Sequence, residues 1–176
     1  AAGLGGKSAH GLMHVSLIAA RLKDPELLWR MLRDFSRLRF VNTSFFTCHN
    51  PGPVIYNLDT TFSMPAVLLE MLVYSEPGLV ELLPALPQDV FVRGTLRGVL
   101  ARGGIVIEEL DWNTTLLRIN ATLRSRRAQE IILRLGIDMR TVEAEEVADR
   151  NLVSRETNGW RIRLPADRSL RLRCVL

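Results

Sequence analysis

Apolar positions along Ala9–Leu22 recur at helical spacing, through Leu12, Val15, Leu17, Ile18, Ala19 and Leu22. Lys23-Asp24-Pro25 breaks that pattern, and Asp24 followed by Pro25 is a helix start. A second apolar stripe follows, made of Leu27, Leu28, Met31, Leu32, Phe35 and Leu38. Two helices joined by so short a turn form a helical hairpin. The stretch 41–58 is polar, with prolines, a glycine and asparagines, yet it carries Phe45, Phe46 and Tyr56. Those aromatic residues predict an ordered loop. Ser63 then reads as the N-cap of a third helix, with Pro65 in its first turn. That helix is apolar on nearly every face, which predicts burial inside a larger helical body. It runs to about Tyr74 and stops at Ser75-Glu76-Pro77-Gly78.

The period changes after Gly78. Residues 79–83 read as a short apolar strand ended by Pro84 and Pro87, and Val90-Phe91-Val92 as a brief one. Residues 105–110 and 115–123 form a hairpin pattern about Asn113-Thr114. Gln129–Leu135 fits a strand or a short helix. Asn158-Gly159 is the strongest turn signal and separates two further strands. From Leu170 onward apolar residues alternate with Arg, so one face is buried and the other wet. The class is α+β: a helical part over residues 1–78 and an antiparallel β domain over 79–176.

The chain has 176 residues, 47% of them hydrophobic, enough to build one core or two small ones. Its net charge of +4 is spread among interleaved acids. The arginines of 118–134 have only Trp112 nearby, which argues against a nucleic-acid surface. No apolar run is long enough to cross a bilayer. The start at Ala1, with no initiator Met, suggests a piece of something longer. Cys48 and Cys174 are either one disulfide or two free thiols.

Several motifs resolve into dull readings. Gly6-Lys7-Ser8 is no phosphate loop, because the first glycine of that pattern falls at Ala1 and no strand precedes it. His10 and His14 have the i, i+4 spacing of a two-histidine metal site, but no third ligand follows, so no metal is expected. Cys48 has no basic neighbour in sequence to activate it. Glu70 falls within the third helix, where an Arg partner suits it, and Glu76 ends it. Asp59, in Tyr56-Asn57-Leu58-Asp59, projects from a turn beside a helix N-terminus, where a negative charge is favoured. It either caps the helix or acts as a general base. His49, Tyr56 and Asn57 are candidate substrate-binding residues beside it; His49 either touches a ligand or holds the loop. One carboxylate cannot perform glycoside cleavage, which needs an acid on one side of the bond and a base or nucleophile on the other.

Asp59 with its surroundings, Glu70-Met71-Leu72, Val80-Glu81-Leu82-Leu83-Pro84-Ala85-Leu86-Pro87, Gly94, Gly98 and Ala101-Arg102-Gly103-Gly104 occur in an order that resembles the C-terminal third of glycoside hydrolase family 95. Arg21-Leu22 before Lys23-Asp24 is similar to a helix end in the same family. The resemblance covers about residues 9–125. It implies the last helices of an (α/α)6 barrel followed by a β-sandwich, and an inverting hydrolysis of α-L-fucosyl or related L-galactosyl residues. It implies Asp59 as the base, an oligosaccharide substrate, no cofactor, and a general acid in the rest of the barrel upstream of Ala1. The chain departs from the family phrase after the aspartate, with Thr60-Thr61 in place of Gly-Asn and Ser63 in place of Gly. Asn57 stands where the family has Gln, and Lys7 where it has Trp.

Overall fold

The computed structural model describes residues 8–41, 46–52, 55–138, 140–145 and 152–175. Gly6, Lys7 and Phe45 lie outside the described residues. Two compact units divide the chain, Ala1–Leu72 and Val73–Leu176.

In the first unit, helix α1 (Ala9–Leu22) starts where the Ser8 hydroxyl accepts from Gly11 N–H, and ends on Lys23 in the left-handed conformation. Helix α2 (Pro25–Arg37) starts on Asp24, whose Oδ1 accepts from Leu27 N–H at 2.9 Å. Both starts fall where the capping residues lead one to expect them. Leu28, Met31, Leu32 and Phe35 of α2 are buried, and α1 packs against α2 and α3.

Helix α3 (Leu58–Leu72) differs from its expected form. It begins five residues before Ser63, so Ser63 is no cap and Pro65 sits inside the helix. The cap is Asn57, whose Oδ1 accepts from Thr60 N–H at 2.9 Å. An interior proline removes one rung of the helix and costs about 3 kcal/mol. Asn57 supplies a stronger start than Ser63 because its own residue is buried, 6% exposed, and held in place. Nor is α3 enclosed on every face: Thr60, Val67 and Met71 are buried, whereas Phe62, Leu68 and Leu69 are exposed. Arg21 Nη2 bonds Glu70 Oε1 at 2.8 Å, tying α1 to α3.

The second unit opens with a hairpin where the helix was expected to continue. Strand β1 (Val73–Glu76) pairs with β2 (Leu79–Leu82) across Pro77-Gly78. Proline followed by a glycine at φ 81° is the composition of a type II turn. Strand β2 then pairs parallel with β6 (Gln129–Leu135), so the domain is not wholly antiparallel. Strands β8 (Val153–Glu156) and β9 (Gly159–Leu164) complete the first sheet, in the order β1-β2-β6-β9-β8. The second sheet runs β3 (Arg93–Ala101), β4 (Ile105–Asn113), β5 (Arg118–Ser125), β10 (Ser169–Val175), β7 (Thr141–Ala144). Strand β3 begins where Val90-Phe91-Val92 was expected to be a strand; that tripeptide lies in a turn and its end. Leu110, Ile119, Leu123, Leu133, Ile162 and Leu172 are among the residues at the core between the sheets. Cys48 and Cys174 are both free and buried. Burial pushes the Cys174 thiol up to about 12.

Three glycines of the family-like phrases have physical reasons. Gly103 and Gly104, at φ 79° and 74°, make the tight link from β3 to β4. Gly94 stands opposite Trp112 in the ladder, and a Cβ there would lie 2.3 Å from the indole ring. That ring is fixed by its Nε1–H, which donates to Phe91 O at 2.9 Å.

Strand β4 carries a bulge between Ile107 and Glu109. The extra residue turns both Glu108 and Glu109 to the open face. Glu108 Oε2 accepts from Ser169 Oγ at 2.6 Å, and its Oε1 from Arg124 Nε at 2.5 Å. The Ser169 hydrogen bond and then the Arg124 bond hold the Glu108 carboxyl below its ordinary value of 4.5.

Gly94→Ala is expected to cost about 1–3 kcal/mol through overpacking against Trp112, read by thermal unfolding together with a shift in tryptophan emission. Because the Glu108 pKa is depressed by folding, its contribution to stability is complete above 4.5 and is lost as pH falls through the lower folded value. Glu108→Gln is therefore expected to flatten the pH dependence of melting below 4.5 and to leave its slope at neutral pH unchanged.

Candidate active site

The N-termini of α1 and α3 meet two stretches of the chain between the helices, 46–52 and 55–57, in the first unit. Ala9 N–H, at the first position of α1, donates to His49 O at 2.9 Å. His49 N–H donates to Ile55 O at 2.8 Å, and Asn57 N–H to Thr47 O at 3.0 Å. Cys48 pairs with Tyr56 in an isolated bridge. Residues 47–49 and 55–57 thus pair with each other as a short ribbon, fastened to α1 through His49.

Asn57 is the junction of this ribbon and α3. Its Oδ1 caps the helix and its Nδ2 lies 3.1 Å from His49 Nδ1. Its backbone oxygen accepts from the Thr47 hydroxyl at 2.6 Å. The Thr47 hydroxyl also lies 2.6 Å from that of Thr61. Thr60 is fully buried, and its hydroxyl has no hydrogen-bond partner among the described residues. Tyr56, 46% exposed, packs its ring 4.2 Å from that of Phe46.

Asp59 lies on the first turn of α3 rather than on a loop before it. Its side chain is 79% exposed, and Oδ2 is 3.9 Å from His10 Nδ1. Capping is done by Asn57, which leaves the Asp59 carboxylate facing solvent at the positive end of the helix dipole. His10 in turn has its ring 4.1 Å from that of His14. Among the described residues no group of three or more His, Cys, Asp or Glu is placed to hold a metal ion. Phe62, one turn beyond Asp59, is 70% exposed.

The structure therefore separates the four predicted residues into two groups. His49 and Asn57 are in contact, and Tyr56 adjoins them through the ribbon. Asp59 stands with His10 instead. The approach of His10 was not foreseen; its helical spacing from His14 was visible, but its nearness to Asp59 depends on how α1 meets α3. Phe62 was also missed, and its position three residues after Asp59 is the signal that places both on one side of a helix.

The family match falls within the second unit. The family description "Glycoside hydrolase family 95, C-terminal domain" matches residues 74–166. The Arabidopsis thaliana protein "Alpha-L-fucosidase 2" is 38% identical over 70 residues, a stretch that is 40% of this chain and 8% of that relative. The match thus spans under a tenth of the length of the relative.

Asn57→Ala is expected to cost about 1–2 kcal/mol through loss of the helix cap, whereas Ser63→Ala should stay within about 0.5 kcal/mol. Chemical denaturation of the two variants side by side checks which residue starts α3.

Proposed function

The chain belongs to glycoside hydrolase family 95, and from that membership we propose that it is the C-terminal part of an inverting glycosidase similar to α-L-fucosidases. In this reading α1, α2 and α3 are the last helices of an (α/α)6 barrel. The exposed Phe62, Leu68, Leu69, Ile18 and Leu22 support it, because apolar side chains on helices call for a covering.

The observation that carries the catalytic reading is the state of Asp59: a solvent-facing carboxylate on the first turn of α3, with His10 at 3.9 Å. A general base must be ionised and free to accept a proton from water. Asn57 takes over the capping that would otherwise occupy the Asp59 carboxylate. His49 and Tyr56 line the sugar pocket, with Asn57 holding them in position against α3. Asp59 draws a proton from the attacking water on the face opposite the leaving group. A carboxylic acid outside these 176 residues protonates the leaving oxygen. The substrate class is an oligosaccharide ending in an α-L-fucosyl or related L-galactosyl residue.

A second reading is favoured by where the family match lies. Residues 74–166 exclude Asp59 and the whole helical unit. On that basis the chain is a non-catalytic carbohydrate-binding or structural module. Sugar binding without release of free sugar by the full-length parent decides for it.

Asp59→Asn in the full-length parent is expected to lower kcat by at least about a hundredfold, with melting temperature nearly unchanged. Turnover at the unmodified rate ends the catalytic proposal.

A further inference from the structure

The open face of the second sheet holds a cleft of about 460 Å³, lined wholly by charged and polar residues of β4, β5 and β10 and by Glu145. The registers set its side chains in cross-strand rows. In one row Arg97, Glu109, Thr122 and Arg171 stand side by side on successive strands. In the next, Thr95, Asp111, Asn120 and Arg173 do so. Arg118 begins the row after that, diagonal to Arg173.

The acids and the arginines of this cleft are not equally committed. Glu109 is held by Arg97 at 2.6 Å, and Asp111 accepts from the Thr95 hydroxyl at 3.2 Å. Arg118 and Arg173, by contrast, make no ion pair or side-chain hydrogen bond with any described residue. Glu143 stands opposite Arg173 in the register but forms no ion pair with it, and the Glu145 carboxylate on the rim makes no ion pair with any described residue. Two uncommitted guanidinium groups held on a diagonal of one sheet face repel each other. That arrangement is relieved by an anion that both can grip. A guanidinium presents paired donors that match the two oxygens of a planar carboxylate. Asn120, opposite Arg173, and Thr122, one row further along β5, add an amide and a hydroxyl, which suit sugar hydroxyl groups as donor and acceptor.

We propose that this cleft binds a uronic-acid residue of an acidic saccharide, with Arg118 and Arg173 on its carboxylate and Asn120 and Thr122 on its hydroxyl groups. The saccharide half of the inference rests on the glycosidase reading of the parent; the carboxylate half rests on the arginines alone. The cleft carries no aromatic ring, so neutral stacking contributes nothing and charge decides the affinity. In the parent, such a site holds an acidic stretch of polysaccharide while a different residue is cleaved elsewhere.

The test titrates the 176-residue chain with α-1,4-linked tetragalacturonate and with its fully methyl-esterified form, by calorimetry and by the arginine Nε–H resonances in NMR. The free acid is expected to bind, to shift the signals of Arg118 and Arg173, and to exceed the ester by at least about tenfold. Arg118→Gln with Arg173→Gln is expected to remove that difference, while Asp59→Asn leaves it intact. Loss of binding in the double variant with Asp59→Asn unaffected separates this site from the proposed catalytic one. Equal affinity for acid and ester, or unperturbed arginine signals in the unmutated chain, overturns the proposal. So does inorganic sulfate at equal charge displacing the saccharide completely, which would mark a non-selective anion site.

Discussion

One side-chain amide organises the helical unit. Asn57 starts α3 by accepting from Thr60 N–H, meets His49 through its other end, and receives the Thr47 hydroxyl on its backbone oxygen. A buried amide is costly unless its donors and acceptors are met. Meeting them here fixes three segments at once: the ribbon of residues 47–49 and 55–57, the first turn of α3, and through His49 O the start of α1. The exposure of Asp59 follows from this. A helix needs one good acceptor at its start, and Asn57 fills that place two residues earlier.

The same amide explains what the sequence showed and what it concealed. Helix α1 was legible from its apolar stripe and α2 from a stripe following Asp24-Pro25; the Ser8 cap of α1 is a finding of the structure. For α3 the sequence offers Ser63 and Asp59 as caps, and Asn57 was not foreseen as one. Ser63 before Pro65 has the better local composition, and only burial of Asn57 within the ribbon reverses the choice. A proline inside a helix is tolerated when packing on either side holds the turns in place, and Thr60 and Val67, one on each side of Pro65, are both fully buried. Of the candidate site, Asp59 was visible as a carboxylate beside a helix start, whereas its neighbour His10 belongs to a helix about fifty residues away and carried no local sign.

In the sheets, strands with strict alternation were legible, as in β5 and β10. Strand β3 was not, because Gly94 and Gly98 interrupt its pattern. Gly94 makes room for Trp112, a requirement set by the opposite strand. Pro77-Gly78 was taken as the end of a helix, though it is equally the composition of a tight turn between two strands. The parallel pairing of β2 with β6 had no local signature, since it joins segments about fifty residues apart. The bulge in β4 likewise shows itself only in the ladder, where it turns two consecutive glutamates to one side and gives each an arginine.

Strand β10 follows every other strand in sequence but lies inside its sheet, between β5 and β7. Until it arrives, β5 and β7 each present an unpaired edge, and their apolar sides have nothing to close against. During synthesis that sheet stays open until residues 169–175 have left the ribosome. The growing chain is therefore exposed to strand addition by other chains late rather than early. A gap of one missing slat, between β5 and β7, is the place left open to a strand of another chain before β10 fills it.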